Sequence, residues 1–318
     1  MPPRLKWVDF AKGVTIILVV VAHAIQENPA VIVFIYVFHM PFFFVMAGYL
    51  LNVEKWGKNF SQFATKLTKR LLLPYFAANF LFSPLWFVFC YRFEIFAIYY
   101  WAERAPLEVL ISIFVGNSET FGTKLLLYPL WFLSCLFFAE LIFLKLHNFK
   151  AAFLFSAVGY ILGKNFQLPL GIDIALFAQF FLFAGSWIKQ NNFLDKINFP
   201  ACVILLLTVF IIPLLNDFVT MDKRIYGNPF LFYVGGIAGT LFIMKVSAWL
   251  ANFSNRICNF IEYCGKQTVI ILVLHIPLFA VVYNLFGDLK LMVICAVLLP
   301  VFIAKNFVGK PILKYFCT

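Results

Sequence analysis

Residues 7–25 read WVDFAKGVTIILVVVAHAI, an apolar run of membrane-crossing length that carries an acid, a cation and an imidazole. A span of the bilayer core needs about 20 mostly apolar residues, and this run meets that requirement. Eleven residues at 100° each return to within about 20° of the start, so Lys12 and His23 share one helix face, about 16 Å apart along the axis. Asp9 falls near the same stripe and, three residues from Lys12, is close enough to neutralise it. An alternative places Asp9 and Lys12 in the headgroup region as a solvated pair, with His23 capping the outer end. A neutral imidazole is suited to act as a general base near neutral pH, and nothing else polar adjoins His23 in the run. Ala22-His23-Ala24 also resembles a signal-peptidase site after a basic start and an apolar stretch, which is a competing reading. Asp9 and Lys12 interrupt that pattern and favour an uncleaved anchor.

The rest of the chain has the same character. Of 318 residues, 64% are hydrophobic and only 12% charged, with 43 Phe and a mean hydropathy of +0.94. Fourteen acidic and 25 basic residues cannot cover a water-facing surface for a fold of this length. An ordinary soluble enzyme, a disordered chain and a disulfide-stapled secreted domain are excluded. The net charge of +11 suits cytoplasmic membrane loops better than nucleic acid, because basic residues in so apolar a chain mark topology.

About ten apolar runs are separated by charges or turn residues: 7–25, 31–51, 71–91, 125–144, 151–163, 169–188, 200–215, 229–248, 267–286 and 289–305. The runs 151–163 and 200–215 are short enough to be re-entrant. With both ends inside, 18 of the 25 Lys and Arg residues fall in cytoplasmic segments and seven outside, and every inner loop obeys the positive-inside rule. The expected fold is therefore all-α and polytopic, with about ten transmembrane helices, both termini cytoplasmic, and a single membrane domain over 1–318. The outer loop at about 92–124 is the only segment large enough to form a lid. The seven cysteines include no C-x-x-C pair and read as small buried hydrophobes. The four histidines lie far apart in sequence and suggest no metal set.

Ionisable groups at membrane depth each cost a few kcal/mol on insertion scales, about 2.5–3.5 for Lys or Asp, and are functional candidates by default. His39 precedes Pro41, which removes a backbone donor and should kink or open the second run. His39 either bonds a carbonyl freed there or meets substrate. Thr268 and His275, seven residues apart, face the same way in the ninth run behind Gly265-Lys266-Gln267. Glu140 and Asp173 are isolated carboxylates suited to orienting a histidine or binding a hydroxyl, or to an interfacial position. Lys66, Lys69 and Arg70 precede Leu71-Leu72-Leu73-Pro74-Tyr75 as a positive-inside anchor or as a landing site for a phosphorylated cytosolic ligand.

Several of these residues fall into ordered blocks. Trp7-Val8-Asp9-Phe10-Ala11-Lys12-Gly13 followed by His23, Phe38-His39-Met40-Pro41-Phe42-Phe43 with Gly48-Tyr49, Lys69-Arg70-Leu71-Leu72-Leu73-Pro74-Tyr75, Leu130-Trp131-Phe132-Leu133, and Gly265-Lys266-Gln267-Thr268 leading to His275 run in sequence order. Together they resemble the acyltransferase family three of integral membrane proteins. That resemblance implies a ten-span enzyme in a bacterial-type inner membrane, which transfers an acyl group from acyl-CoA, most often acetyl-CoA, to a hydroxyl of a cell-envelope glycan or lipid-linked sugar. No bound cofactor is implied, since acyl-CoA is a co-substrate. Many polysaccharide-modifying members carry two arginines three residues apart before the proline, and here Thr68 and Leu71 hold those positions.

Within this picture His23 is the expected general base, Lys12 the partner of the oxyanion or of CoA phosphate, and Asp9 the group that holds Lys12. His39, His275, Thr268, Lys69, Arg70, Trp131 and Glu140 are expected to contact substrates. A covalent acyl-histidine is a second route. The rival class is a proton-coupled transporter or channel using the same histidines, although the chain has no evident internal repeat.

Overall fold

The computed structural model describes residues 5–25, 29–88, 106–116 and 127–307. Among them the chain is helical, and the one β feature is an isolated antiparallel bridge between Thr220 and Ile225. Every apolar run contains helix. Six helical segments are long and apolar enough to cross a membrane: Lys6–Ala24, Val31–Leu50, Tyr128–Lys145, Pro229–Leu250, Thr268–Phe286 and Leu289–Asn306. A seventh forms if Pro169–Phe177 and Gln179–Gln190, bent by 51°, count as one span. The remaining runs give shorter helices at Leu73–Trp86, Phe149–Asn165 and Phe199–Leu215. The last of these leaves Phe199 82% and Leu214 75% exposed, which lipid tolerates and water would not.

The irregularities follow from particular residues. The second run divides into Pro29–Tyr36 and His39–Leu50, with Phe38 off the helical ladder at φ −130° and ψ −19°. Pro41 has no N–H for the carbonyl of Val37, four residues back, and its ring crowds that oxygen, so the break falls at 37–38. The helix Phe60–Leu67 passes into a π turn over Thr68–Leu72, where the Leu73 N–H reaches the Thr68 carbonyl five residues back. Pro74 explains the widening, because an α turn would drive its ring into the Arg70 carbonyl. At the 51° bend, Gln179 donates its side-chain amide to the carbonyls of Ala175 (2.7 Å) and Ala139 (3.2 Å), which satisfies backbone acceptors in an apolar setting.

Two helix crossings are made backbone to backbone. In one, Gly13 of the first helix lies on the Ile261 carbonyl and Gly265 lies on the Asp9 carbonyl, joining Lys6–Ala24 to the helix Arg256–Lys266. In the other, Gly48 meets the Leu182 carbonyl and Gly185 meets the Val45 carbonyl. Small residues permit this approach where no hydrophobic force drives helices together in lipid. Gly185→Leu is expected to cost at least about 2–3 kcal/mol by forcing these backbones apart. Thermal melting in detergent micelles would read the loss, and a native-like melting temperature would contradict the close crossing.

Of the segment 92–124, expected to be an outer loop, residues 106–116 are described, mostly as the helix Pro106–Val115, and the others lie outside the described residues. That helix packs on the third run, where the Tyr75 hydroxyl donates to the Ile113 carbonyl at 2.6 Å. It contributes no residue to the cavity below. A second connecting segment, 216–228, is folded as a strap. Thr220 and Ile225 exchange backbone hydrogen bonds of 2.7 and 3.1 Å, and Tyr226 stacks on Phe177 at 3.9 Å between ring centres. Arg224 grips Asp173 in two places, Nε to Oδ2 at 2.8 Å and Nη2 to Oδ1 at 3.1 Å.

Candidate active site

A cavity of about 510 Å³ runs among the first, second, fourth and ninth runs. Its size lies within the usual range for small-molecule sites. Lys12, Lys66, Arg70, Glu140 and Lys266 line one end, and His23, Tyr36, His39, Tyr128, Asp222 and Lys223 line the other. Apolar side chains, among them Phe43, Met46, Phe132, Leu136 and Leu272, line the length between them. One cavity thus touches both members of the Lys12–His23 face of the first helix.

At the cationic end the π turn brings Arg70 to Glu140, with which it forms an ion pair. The Arg70 side chain stays 36% exposed while that of Glu140 is 5% exposed, so the guanidinium reaches from the buried carboxylate toward the exposed side of the cavity wall. Lys66, one turn before Arg70, is on the wall, whereas Lys69 is exposed and off it. Partial burial holds the Lys66 ammonium below the ordinary lysine pKa, and the neighbouring Arg70 adds to that shift while Glu140 opposes it. Lys266 pairs with Glu262 one turn earlier on its own helix. The close crossing at Gly13 and Gly265 is what brings Lys266 beside the first helix. Asp9 is buried at that crossing, 2% exposed, and does not border the cavity.

At the other end His23 is partly buried in the last turn of its helix. Its Nδ1 lies 2.9 Å from Nε2 of His275, and the two rings are nearly parallel at 11°. Tyr128 meets the His23 ring edge-on at 5.4 Å. His275 is fully buried behind His23 rather than on the cavity wall, and its Nδ1 contacts the Ile271 carbonyl at 3.1 Å. His39 Nδ1 donates to the Ile35 carbonyl at 3.0 Å, beside the helix break and not to the Val37 carbonyl that Pro41 frees, and the ring also lines the cavity. A carbonyl can only accept, so the neutral His39 ring keeps Nε2 as its acceptor nitrogen. Tyr36 packs on His39 at 4.8 Å and on Phe218 at 5.4 Å, extending the aromatic wall. Thr268 and Trp131 line the cavity too, with the Thr268 hydroxyl donating to the Gly265 carbonyl at 2.7 Å.

Sequence reasoning did not single out Tyr36, Tyr128 or Asp222. Tyr128 had a usable signal in Tyr128-Pro129, since proline suits the first turn of the helical segment that starts there. Lys66 and Arg70 are four apart, the spacing of one helix face. Asp222 belongs to Asp222-Lys223-Arg224, a charged triplet in a short segment between apolar runs. Asp173, considered as a substrate or histidine partner, is committed to Arg224 instead and does not line the cavity. Among the described residues no three His, Cys, Asp or Glu side chains gather as a metal site.

The arrangement gathers four cations, Lys12, Lys66, Arg70 and Lys266, at one end and two imidazoles, with Asp222 and Lys223, at the other, inside a multi-pass helical membrane protein. A cavity of this size with polar groups at both ends suits a membrane enzyme. A family model described as an acyltransferase domain matches residues 5–305, and the chain belongs to the acyltransferase family three. It is an acyltransferase. The chain is also similar to the nodulation protein NolL of Mesorhizobium japonicum, with 23% identity over 296 residues that cover 84% of this chain and 74% of that protein. No solved structure matches the chain.

Proposed function

We propose that the protein is an acyl-CoA-dependent O-acyltransferase that moves an acyl group, acetyl in the first instance, to a hydroxyl of a cell-envelope glycan or lipid-linked sugar. One observation carries this reading: a single cavity joins an end lined by Lys12, Lys66, Arg70 and Lys266 to an end lined by His23 and His39. CoA brings phosphates that cationic side chains bind well, and an acceptor hydroxyl needs a base. The donor enters at the cationic end, with Arg70 and Lys66 on its phosphates, Lys69 adding charge near the opening and Glu140 holding Arg70. Lys12 stabilises the oxyanion or a phosphate, and Asp9 fixes the helix turn that carries Lys12. His23 takes the hydroxyl proton. His39, Trp131 and Thr268 shape the substrate chamber.

In this proposal all ten apolar runs cross a bacterial-type cytoplasmic membrane, and both termini lie inside. The charge distribution supports it, with 18 of 25 basic residues in the inner segments. The donor end then faces the compartment where acyl-CoA is made, and the histidine end faces the envelope.

Membranes holding the protein should transfer label from [14C]acetyl-CoA into a base-labile glycan fraction, well above membranes lacking it. Equal labelling of the two would overturn the proposed chemistry.

A further inference from the structure

The nitrogen of His23 that bonds His275 is Nδ1, and the partner atom is Nε2. The other ring nitrogen of His275 contacts the Ile271 carbonyl at 3.1 Å, and a carbonyl oxygen only accepts. His275 Nδ1 must therefore carry a hydrogen, and in a neutral ring its Nε2 is the acceptor. The 2.9 Å bond to His23 then requires the hydrogen to be on His23 Nδ1. The lone pair of neutral His23 is thereby assigned to Nε2.

We infer that His275 is the positioning residue of the transfer reaction: it sets the tautomer and ring direction of His23 so that Nε2 is the basic nitrogen presented to the acceptor. The inference rests on the proposed role of His23. It differs from a substrate contact, because His275 is 0% exposed and does not border the cavity. The ring of His275 is itself held from the side by Phe279, edge-on at 5.6 Å. A backbone carbonyl, an imidazole and a second imidazole thus form one line. It has the same logic as a carboxylate orienting a catalytic histidine, with a neutral ring in place of the acid.

In the step itself the acceptor oxygen forms a bond to the thioester carbonyl carbon while its proton passes to His23 Nε2. Collapse of the tetrahedral intermediate breaks the carbon–sulfur bond, and the proton on Nε2 goes to the departing thiolate. Ester and CoA thiol are the products, and His23 returns to the neutral Nδ1–H form. The hydrogen on Nδ1 stays in its bond to His275 throughout.

The test measures [14C]acetyl transfer into the base-labile glycan fraction of protein-containing membranes, with acetyl-CoA varied. His275→Leu removes the acceptor and is expected to lower kcat by about 10²-fold or more, with KM for acetyl-CoA within twofold of native, about the least that loss of a tautomer-fixing partner costs. His275→Gln restores a side-chain oxygen near the lost Nε2 and is expected to recover at least about tenfold of that loss, which mere space-filling would not do. A Leu variant with near-native kcat, a Gln variant no better than Leu at equal membrane abundance, or a loss confined to KM would each overturn the inference. Should His275→Leu not accumulate, His275→Met takes its place in the comparison. His23→Ala separates the two levels. If that variant is active, the base assignment fails, and the positioning role falls with it. If it is inactive while His275→Leu is fully active, only the positioning role fails.

Discussion

His23→Ala is expected to reduce acyl transfer by about 10²–10⁴-fold at unchanged membrane abundance, the range that a positioned acid–base group contributes. At 1.36 kcal/mol per tenfold, that is about 3–5 kcal/mol of lost transition-state stabilisation. The expected loss is catalytic and not structural. His23 is in the last turn of its helix, it is only partly buried, and alanine is the best helix former. The measurement is single-turnover transfer from [14C]acetyl-CoA in detergent-solubilised protein, supplied with the extracted glycan fraction. Solubilisation also addresses the transporter alternative, because a proton-coupled carrier has no gradient to use in micelles and should catalyse no ester formation. Native-level transfer by the His23→Ala protein would remove the imidazole from the mechanism.

Asp173→Ala should produce the largest change in stability. Asp173 is 0% and Arg224 2% exposed at the side chain, and together they make a two-point ion pair that joins the start of the bent pair to the 216–228 strap. Removing the Asp173 carboxylate takes the two-point partner from a buried guanidinium that also donates to the Asp222 carbonyl at 2.7 Å, a loss of about 3–5 kcal/mol for a broken buried pair. The space around the pair is tight: a side chain at Gly163 would stand 3.0 Å from the Asp173 carboxylate and 3.1 Å from Arg224 Cγ. The surroundings cannot simply collapse onto the gap. Replacing both partners by apolar residues, as in Asp173→Leu with Arg224→Met, should recover most of the loss, because an apolar pair of similar volume often replaces a buried ion pair without cost. Thermal melting of the three proteins in one detergent checks this. A single variant as stable as the native protein would mean that the pair does not hold the strap.

The sequence made the helices legible because membrane spans are read from length and apolarity alone, and each of the ten runs contains helix. It also made legible the shared face of Lys12 and His23, since that depends only on helical geometry within one segment. Contacts between segments were another matter. His23 and His275 are 252 residues apart, and nothing in either span's periodicity says which face of one meets which face of the other. A local sign did exist: His39-Met40-Pro41 and His275-Ile276-Pro277 share the pattern His-x-Pro, and both histidines bond the carbonyl four residues back. Arg224 illustrates the limit of charge counting. By its position between two runs it counts as an outer cation, yet in the fold it is buried against the carboxylate of Asp173. The same holds for the cationic end, where a π turn, not the sequence spacing by itself, settles that Arg70 faces Glu140 while Lys69 does not border the cavity.

The glycine crossings have a bearing on how such a protein can be redesigned. At Gly13 with Gly265, and at Gly48 with Gly185, main chain rests on main chain, so no side chain is available there to be trimmed or enlarged. Tuning the chamber by mutation is closed along those seams and open where side chains alone form the wall. Tyr36, Phe218 and Asp222 are such positions, all at the histidine end and two of them on the strap. A library that varies such positions changes the wall of the histidine end while the glycine seams, and the helix crossings they set, are inherited unchanged by every member.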